Sequence, residues 1–579
     1  VSTTGLLEAE SDVTRAWYRR PRVWTWILFG LAAVVFAELA WRRRWMSDDG
    51  LIVLRTVRNL LEGDGPVFNA GERVEANTST LWTFIVAGLG LLGIKLEWAA
   101  VLSGLVLAVA GLWFAMDGAR RFHRPTGSGL AVPAGALLVC VLPPFRDFAT
   151  SGLETGLITF WLGLTWWLVV RLALDGDTVR AWPVALVIGL GPLVRPDLAL
   201  FSALAFIGMM VAGWRGWKHL LGLLAVAGAL PVAYQIFRMG YYGLLTPNTA
   251  LAKEASSAHW GRGWRYLADL VSPYYLWVPV LLLAAGLVLL LRRVPRNRAL
   301  WALIAFPLLS GLALALYVIR LGGDFMHGRM LLPALFAALL PVMALPFTRW
   351  TAVVLAGVGV WGVVALGWLR VPYEDAPKAY NKASGIADER GYWSAVTRHE
   401  HPVTIEDYMR SPDLDLPVAM AAVRNLPGPS VLVYRAGAWR QYASDKPYST
   451  VFSGSIGAFG LVMPRDVRVH DGYGLVNSIA SHTTLVFASR SGHEKDISPT
   501  WAIGEAGRTE VDATGDANGF AAEDILAARK AVQCPEVREM LDSVRAPLTA
   551  GRFWDNLTGA VGRNSLRYPA DPRQAADCG

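Results

Sequence analysis

From residue 23 to residue 369 the chain alternates long apolar runs with short polar joints, and few ionisable residues fall inside the runs. A membrane-spanning helix needs roughly 17–25 mostly apolar residues. By that rule the runs 23–41, 97–118, 129–145, 155–173, 182–194, 197–213, 218–237, 273–292, 299–319, 329–346 and 348–369 read as about eleven spans, with 182–194 the shortest. The run 79–94 is short, and counting it would put Arg120, Arg121 and Arg124 on the wrong side, so it reads as a helix lying at the membrane interface or re-entering the surface. The first run follows Arg15, Arg19, Arg20 and Arg22, is too long for a signal-peptide core and lacks a small-residue cleavage site, so it reads as a retained helix.

Beyond residue 370 the pattern changes to ordinary soluble composition, which predicts a membrane domain over 1–370 followed by one soluble domain over 371–579. The whole chain is only 17% charged, against about 25% for a soluble protein. Its net charge of +8 sits in joints between runs rather than in a basic-aromatic stripe, which excludes a nucleic-acid partner. In the soluble part the runs Ser430–Tyr434, Thr450–Phe452, Val467–Val469 and Thr484–Ala488 look like strands. Ala521–Val532 and Pro535–Val544 look helical, so an α/β or α+β domain is expected. Cys534 and Cys578 can pair if this part lies outside the cytoplasm.

Short basic joints set orientation. Arg15–Arg22, Arg120–Arg124, Arg215–Lys218, Arg292–Arg298 and Arg349 all fall on one side with eleven spans, which is then the cytoplasm. Arg42, Arg43 and Arg44 run against this and read as interfacial side chains reaching the headgroups. The other side collects five polar stretches: the Asp48-Asp49 loop, 143–154, 194–197, 241–254 and 320–329. The scarcity of mid-span charge disfavours a transporter with a central site.

Paired carboxylates directly after a span are costly and need a reason. Asp48 and Asp49 precede an amphipathic helix, Leu51–Leu61, that would lie flat on the membrane; one carboxylate can cap it, but a cap does not require two. A carboxylate here can take a proton from a sugar hydroxyl or attack a sugar carbon. A lipid-phosphate leaving group needs cations, for which Arg55, Arg58, Arg195, Lys253, His327 and Arg329 are candidates, although each alone is equally a headgroup contact. Arg195 can also be a structural partner of Asp197. Glu75, Asn77, Asn248 and Asp324 have the chemistry to bind sugar hydroxyls, and Tyr241 and Tyr242 either join them or form an interfacial belt. His327 alone is no metal signal, and no ligand spacing accompanies the aspartates, so no metal or other cofactor is assigned, a divalent ion at the pair being left open.

Taken together, Asp48-Asp49-Gly50, 67–75, 151–156, 194–197, Tyr241-Tyr242-Gly243 with Pro247-Asn248-Thr249, and Gly322-Gly323-Asp324-Phe325 with Arg329 resemble the GT-C polyprenyl-phosphate-sugar-dependent glycosyltransferases. Within these, the motif order and the soluble C-terminal domain are similar to the mycobacterial terminal arabinofuranosyltransferases. The resemblance implies a GT-C fold with membrane-parallel helices in the first outer loop. It implies decaprenyl-phosphoryl-β-D-arabinofuranose as donor, and as acceptor the non-reducing ends of arabinan in arabinogalactan or lipoarabinomannan. The product would be a terminal β(1→2) linkage. It also implies a monomer in the plasma membrane, with site and soluble domain on the periplasmic side.

A β donor giving a β product is net retention, so one in-line attack with a single base does not suffice. Double displacement through Asp48 or Asp49 and front-face attack both remain open. Other readings are a mannosyl- or glucosyltransferase of the same fold and a lipid-linked-sugar flippase. The soluble domain either binds acceptor glycan, through Tyr392, Trp393 and Trp439, or only stabilises the membrane domain, with these aromatics as ordinary core.

Overall fold

The computed structural model describes residues 21–578 apart from 125–128, 177–178, 255–256, 293–296, 374–378, 436, 486–491, 508–515 and 518–519. Arg15, Arg19, Arg20, Arg293 and Arg296 of the basic joints, and 486–488 of the last expected strand, lie outside the described residues.

The longer helices of the membrane part are α1 (Pro21–Trp41), α2 (Asp48–Leu61), α3 (Thr80–Leu91), α4 (Leu96–Phe122), α5 (Ala134–Val141), α6 (Pro143–Phe148), α7 (Thr155–Leu174) and α8 (Ala181–Gly189). They continue with α9 (Ala199–Ala212), α10 (Trp217–Tyr242), α11 (Trp260–Val271), α12 (Trp277–Leu291), α13 (Arg298–Leu321), α14 (Leu332–Leu339) and α15 (Arg349–Gly367). Six of them, α1, α4, α7, α10, α13 and α15, are long and apolar enough to cross a membrane, so this is a multi-pass membrane protein.

Among the described residues, the eleven expected runs are thus not all single helices of spanning length. The remaining expected runs form shorter helices, and proline or glycine marks most of the breaks. The run 129–145 stops at Leu142, because Pro143 and Pro144 occupy the first turn of α6 and have no amide hydrogen to continue α5. The run 182–194 breaks at Leu190, before Gly191 and Pro192. In 329–346, Pro333 and Pro341 each open a new short helix after a 3-10 or α turn. The runs 197–213 and 273–292 retain helices of 14 and 15 residues. The run 79–94 forms the 12-residue α3, about 18 Å long and too short to cross alone.

Small residues bring the central pair together. A side chain at Gly111 of α4 would meet the backbone of Thr159 on α7, and one at Gly156 of α7 would meet the backbone of Gly104. Close backbone approach of this kind replaces the hydrophobic drive that lipid cannot supply.

In the C-terminal part come α16 (Glu389–Thr397), β1 (Ser430–Arg435), β2 (Ala438–Ala443), β3 (Ser449–Phe452), α17 (Ile456–Val462) and β4 (Val467–His470). Further on are α18 (Thr500–Ala506), α19 (Ala522–Ala531), α20 (Pro535–Arg545) and α21 (Ala550–Ser565). The sheet is mixed, in the order β2-β1-β3-β4, with β1–β2 an antiparallel hairpin and the other two pairs parallel. β2 went unread because its solvent-facing side chains lack an alternating apolar pattern. Thr484 and Leu485 are irregular rather than strand. Cys534 and Cys578 form a disulfide beside a small core of Ile479, Trp501, Ala528, Val537 and Met540.

The aromatic surface expected for glycan is not formed as read. Trp393 is 4% exposed and its indole donates to Glu389 at 2.8 Å. Tyr392 packs edge-on against Trp393, and Trp439 packs on Phe459, so these three serve the core.

Candidate active site

Ser47 accepts from Gly50 N at 2.9 Å and so caps α2, which leaves Asp48 and Asp49 in the first turn free of that duty. The two then diverge. Asp48 faces the C-terminal part, where its two oxygens accept from Gly457 N at 3.0 Å and Ala458 N at 2.8 Å, the first amides of α17. Burial pushes its carboxyl up to about 6, against the two amides that favour its ionised form, with Asp49 adding repulsion.

Asp49 faces the other way, with a quarter of its side chain exposed, and accepts from Arg329 Nη1 at 3.4 Å. Arg329 also lies 2.8 Å from Asp324, off the line of a hydrogen bond, so this is a charge contact rather than a directed bond. Nearby, Arg195 forms a two-pronged pair with Asp197 at 2.6 and 2.7 Å and reaches Glu154 at 3.7 Å. Arg329 is close enough to feel the charges of Glu154 and Arg195. Four polar joints that are remote in sequence therefore meet: Asp49, Glu154, Arg195 with Asp197, and Asp324 with Arg329. Four carboxylates share two guanidiniums, leaving an acid surplus around a partly open Asp49. Such a cluster can accept a proton or stabilise a developing cation, and its guanidiniums can stabilise a departing anion.

The 151–154 loop holds this geometry. Ser47 N donates to Ser151 O at 2.9 Å, Trp82 donates to Gly152 O at 2.9 Å, and Gly152 adopts φ +79° under Met46. A side chain at Gly152 would be strained and would displace Met46.

The structure does not bring the other predicted residues to the cluster. Arg55 donates to Phe68 O and Val467 O at 2.7 and 2.8 Å and to Gly460 O. Arg58 donates to Leu461 O and Met463 O at 2.8 and 3.2 Å. Glu75 is buried against Arg238 at 2.6 Å and the Tyr234 hydroxyl at 2.7 Å. Asn77 contacts Thr83 at 3.5 Å, and buried Asn248 donates to Gly474 O at 2.7 Å. Tyr241 stacks on Phe237, while Tyr242 is buried and donates to Pro66 O. His327 is held between Asp269 at 2.6 Å and the Tyr274 hydroxyl at 3.1 Å. The Lys253 side chain runs beside Gly492. No group of three or more metal-ligating side chains occurs among the described residues.

Sequence reading missed the approach to the cluster. A small crevice lined by Asp324, Tyr266, Arg262 and Arg265 shares Arg262, Arg265, Ser384 and Gly385 with an open cleft of about 770 Å³. That cleft is lined by His259 and Trp260 of the membrane part and by Tyr380, Lys382, Tyr473, His493 and Asp496 of the C-terminal part. The amphipathic α11 supplies Trp260 and Trp264, both about half exposed, as expected of a helix at a membrane surface. Two arginines one turn apart on such a helix are the signal that could have pointed here.

Apolar helices, six of them of spanning length, with a carboxylate–guanidinium cluster where they meet the C-terminal part, define a multi-pass membrane protein with a charged interfacial site. Over 96% of this chain and 98% of its own length, the terminal β-(1→2)-arabinofuranosyltransferase of Mycobacterium tuberculosis is 40% identical. The protein of the same name from Corynebacterium glutamicum is 37% identical over 93% of this chain and 85% of its own. Residues 433–577 match the AftB family C-terminal domain. A crystal structure of ArnT from Cupriavidus metallidurans bound to undecaprenyl phosphate aligns over 76% of this chain and 89% of its own, with TM-score 0.42 and 16% identity. This chain belongs to the terminal β-(1→2)-arabinofuranosyltransferase family and is a glycosyltransferase.

Proposed function

We infer that the enzyme moves arabinofuranose from decaprenyl-phosphoryl-arabinofuranose to the non-reducing ends of cell-wall arabinan. The observation that carries this reading is the pairing of Arg329 with Asp49 and with Asp324, the latter lining a crevice that shares Arg262 and Arg265 with an open cleft at an amphipathic, tryptophan-bearing helix. The donor's phosphate would sit toward Arg262 and Arg265, the lipid would leave past Trp260 and Trp264, and the sugar would point to Asp324 and Asp49.

Transfer breaks the bond between the anomeric carbon and the phosphate oxygen, and the electron pair leaves with the lipid phosphate. The acceptor's 2-hydroxyl forms the new bond and gives its proton to the departing lipid phosphate, which has gained the electron pair. Asp49 is the carboxylate we assign to the reacting centre, because both oxygens of Asp48 are already occupied by backbone amides. Retention then proceeds either through Asp49 as nucleophile or through front-face attack with Asp49 steadying the oxocarbenium-like carbon.

We place residues 1–370 as the catalytic membrane domain and 371–579 as an outer domain that completes the cleft through Tyr473, His493 and Asp496. The disulfide favours the oxidising side of the membrane for that domain.

The test is purified protein with the lipid donor and a synthetic arabinan. Wild type forms a terminal β(1→2) linkage. Asp49→Asn loses activity by about 10³-fold or more, on the scale of acid–base and electrostatic contributions. Full activity in Asp49→Asn would remove the assignment, and transfer from a mannosyl or glucosyl lipid instead would change the sugar.

A further inference from the structure

α21 of the C-terminal part is clamped across one end of the spanning helix α10. The Phe553 ring fills the space where a side chain at Gly240 would stand. Asn556 donates to Gly240 O at 3.1 Å, Arg563 to Gly243 O at 2.8 Å, and the Thr246 hydroxyl to Asn564 at 2.8 Å. Gly240 and Gly243 continue a stripe of α10 that begins with Val232 and Ile236, each three or four residues after the last. Val232 and Ile236 are 57% and 47% exposed, and on a spanning helix such residues face lipid. Ile236 and the α21 contact at Gly240 are one turn apart, about 6 Å of helix. α21 therefore lies where the lipid covering of α10 stops.

The faces of α21 suit that position. The side that grips α10 carries Phe553, Asn556 and Asn564. Next to it round the helix, Leu557, Val561 and Trp554 form an apolar strip, with Trp554 63% and Val561 57% exposed. Beyond the strip come Thr558, Ser565 and Asp555, all exposed. A lone exposed apolar residue on a water-facing surface is ordinary. Here the strip adjoins a lipid-facing stripe and sits at the end of a span, the level at which tryptophan is enriched.

We propose that α21 is a membrane-surface helix, whose strip of Leu557, Val561 and Trp554 enters the headgroup–acyl boundary of the leaflet at that end of α10. The partner of this face is the bilayer itself. An in-plane helix of this kind buries its apolar side about 5–10 Å into the boundary. α20, which leads into α21, passes the mooring on: Arg73 N donates to Val544 O at 2.9 Å, and Arg545 pairs with Glu72 at 2.9 Å. The bilayer thereby fixes the level at which the C-terminal part rides against the loop that follows α2.

The experiment places a nitroxide label on single-site cysteine variants of the full chain, held in bilayer discs of phosphatidylcholine and phosphatidylglycerol. It compares collisions of the label with oxygen, which concentrates among acyl chains, and with a water-soluble nickel chelate. Labelling without reductant keeps the Cys534–Cys578 disulfide closed, Cys140 is buried, and the unsubstituted protein supplies the background. Trp554→Cys and Val561→Cys should each show an oxygen-to-chelate ratio several-fold above that of Thr558→Cys, on the polar side of the same helix. The three side chains are exposed, so the substitutions leave the fold in place, and either apolar position read against Thr558→Cys decides the matter. Ratios at 554 and 561 no higher than at 558 overturn the proposal. So does shielding of 554 and 561 that appears only when arabinan is added, which would make the strip a glycan surface. Spin–spin broadening at both positions would make it an interface between two copies and overturns the proposal equally.

Discussion

Asp48 on the membrane part and Ala458 on the C-terminal part are joined carboxylate to amide at 2.8 Å, across 410 residues of sequence. The same carboxylate takes Gly457 N, and from the same face of α2 Arg55 and Arg58 take the carbonyls of Gly460, Leu461 and Met463. α17 is thus held at both ends by one helix: an anion at its amino terminus and cations at its carboxyl terminus. That matches the direction of its dipole and satisfies groups the helix itself leaves unpaired. The catalytic carboxylate assigned here, Asp49, is the next residue along, so its position depends on this grip.

The two helices approach closely at Gly457, since a Cβ there would overlap the backbone carbonyl of Asp48. Backbone cannot give way as a flexible side chain can. Gly457→Ala should cost roughly 1–3 kcal/mol of docking between the two parts. It should lower transfer by at least tenfold while leaving the fold of the sheet intact. Melting curves and turnover of the purified variant check both; unchanged values in both would mean the contact is dispensable.

Asp48 also sets a pH dependence. Its folded carboxyl, raised to about 6 by burial, binds a proton that the unfolded chain has already released above about pH 4. The folded form binds more protons between those values, so stability falls as pH rises from about 4 to about 6 and is flat beyond. Asp48→Asn has no proton to bind there. Subtracting its unfolding curve from wild type across pH 4–7 should leave this falling segment.

Arg329 serves two carboxylates at once, Asp49 at 3.4 Å and Asp324 at 2.8 Å. Arg329→Lys keeps the charge but not the fork, so one of the two contacts is lost. Turnover should drop by about 10–100-fold with little change in melting. Arg329→Gln leaves Asp324 buried with no cation and should cost stability as well, by about 3–5 kcal/mol. A Lys variant as active as wild type would show that the fork does not position Asp49.

How far the molecule could be read beforehand depended on whether a residue's partner was local. The polar joints at 48–49, 151–154, 194–197 and 320–329 stood out because each interrupts apolar sequence, and in the structure they meet in one cluster. Arg55 and Arg58 looked identical to phosphate ligands, because a guanidinium donates equally well to phosphate and to backbone carbonyl. Only the fold supplied α17 as their partner. Helix lengths were overestimated where hydropathy ran on through Pro143, Pro192, Pro333 and Pro341, since a proline changes backbone geometry without making the run less apolar. Trp393 and Trp439 looked available for glycan, but composition cannot tell a core tryptophan from a binding one.

The pair Glu75–Arg238 tests whether the outer end of α10 is a rigid support. Both side chains are buried, their two contacts are 2.6 and 3.2 Å, and the Tyr234 hydroxyl completes the carboxylate at 2.7 Å. Glu75 was expected to touch sugar, yet its oxygens are fully engaged by protein. Removing one partner leaves a charge in a low-dielectric setting, so Glu75→Gln should destabilise by about 3–5 kcal/mol. The double replacement Glu75→Gln/Arg238→Met leaves no buried charge and should recover much of that loss. A structural pair predicts that activity follows stability in both variants, so the double variant regains turnover when assayed below its melting point. If instead the double variant is stable and inactive, Glu75 touches substrate after all, and the cleft extends further along α10 than the cluster at Asp49.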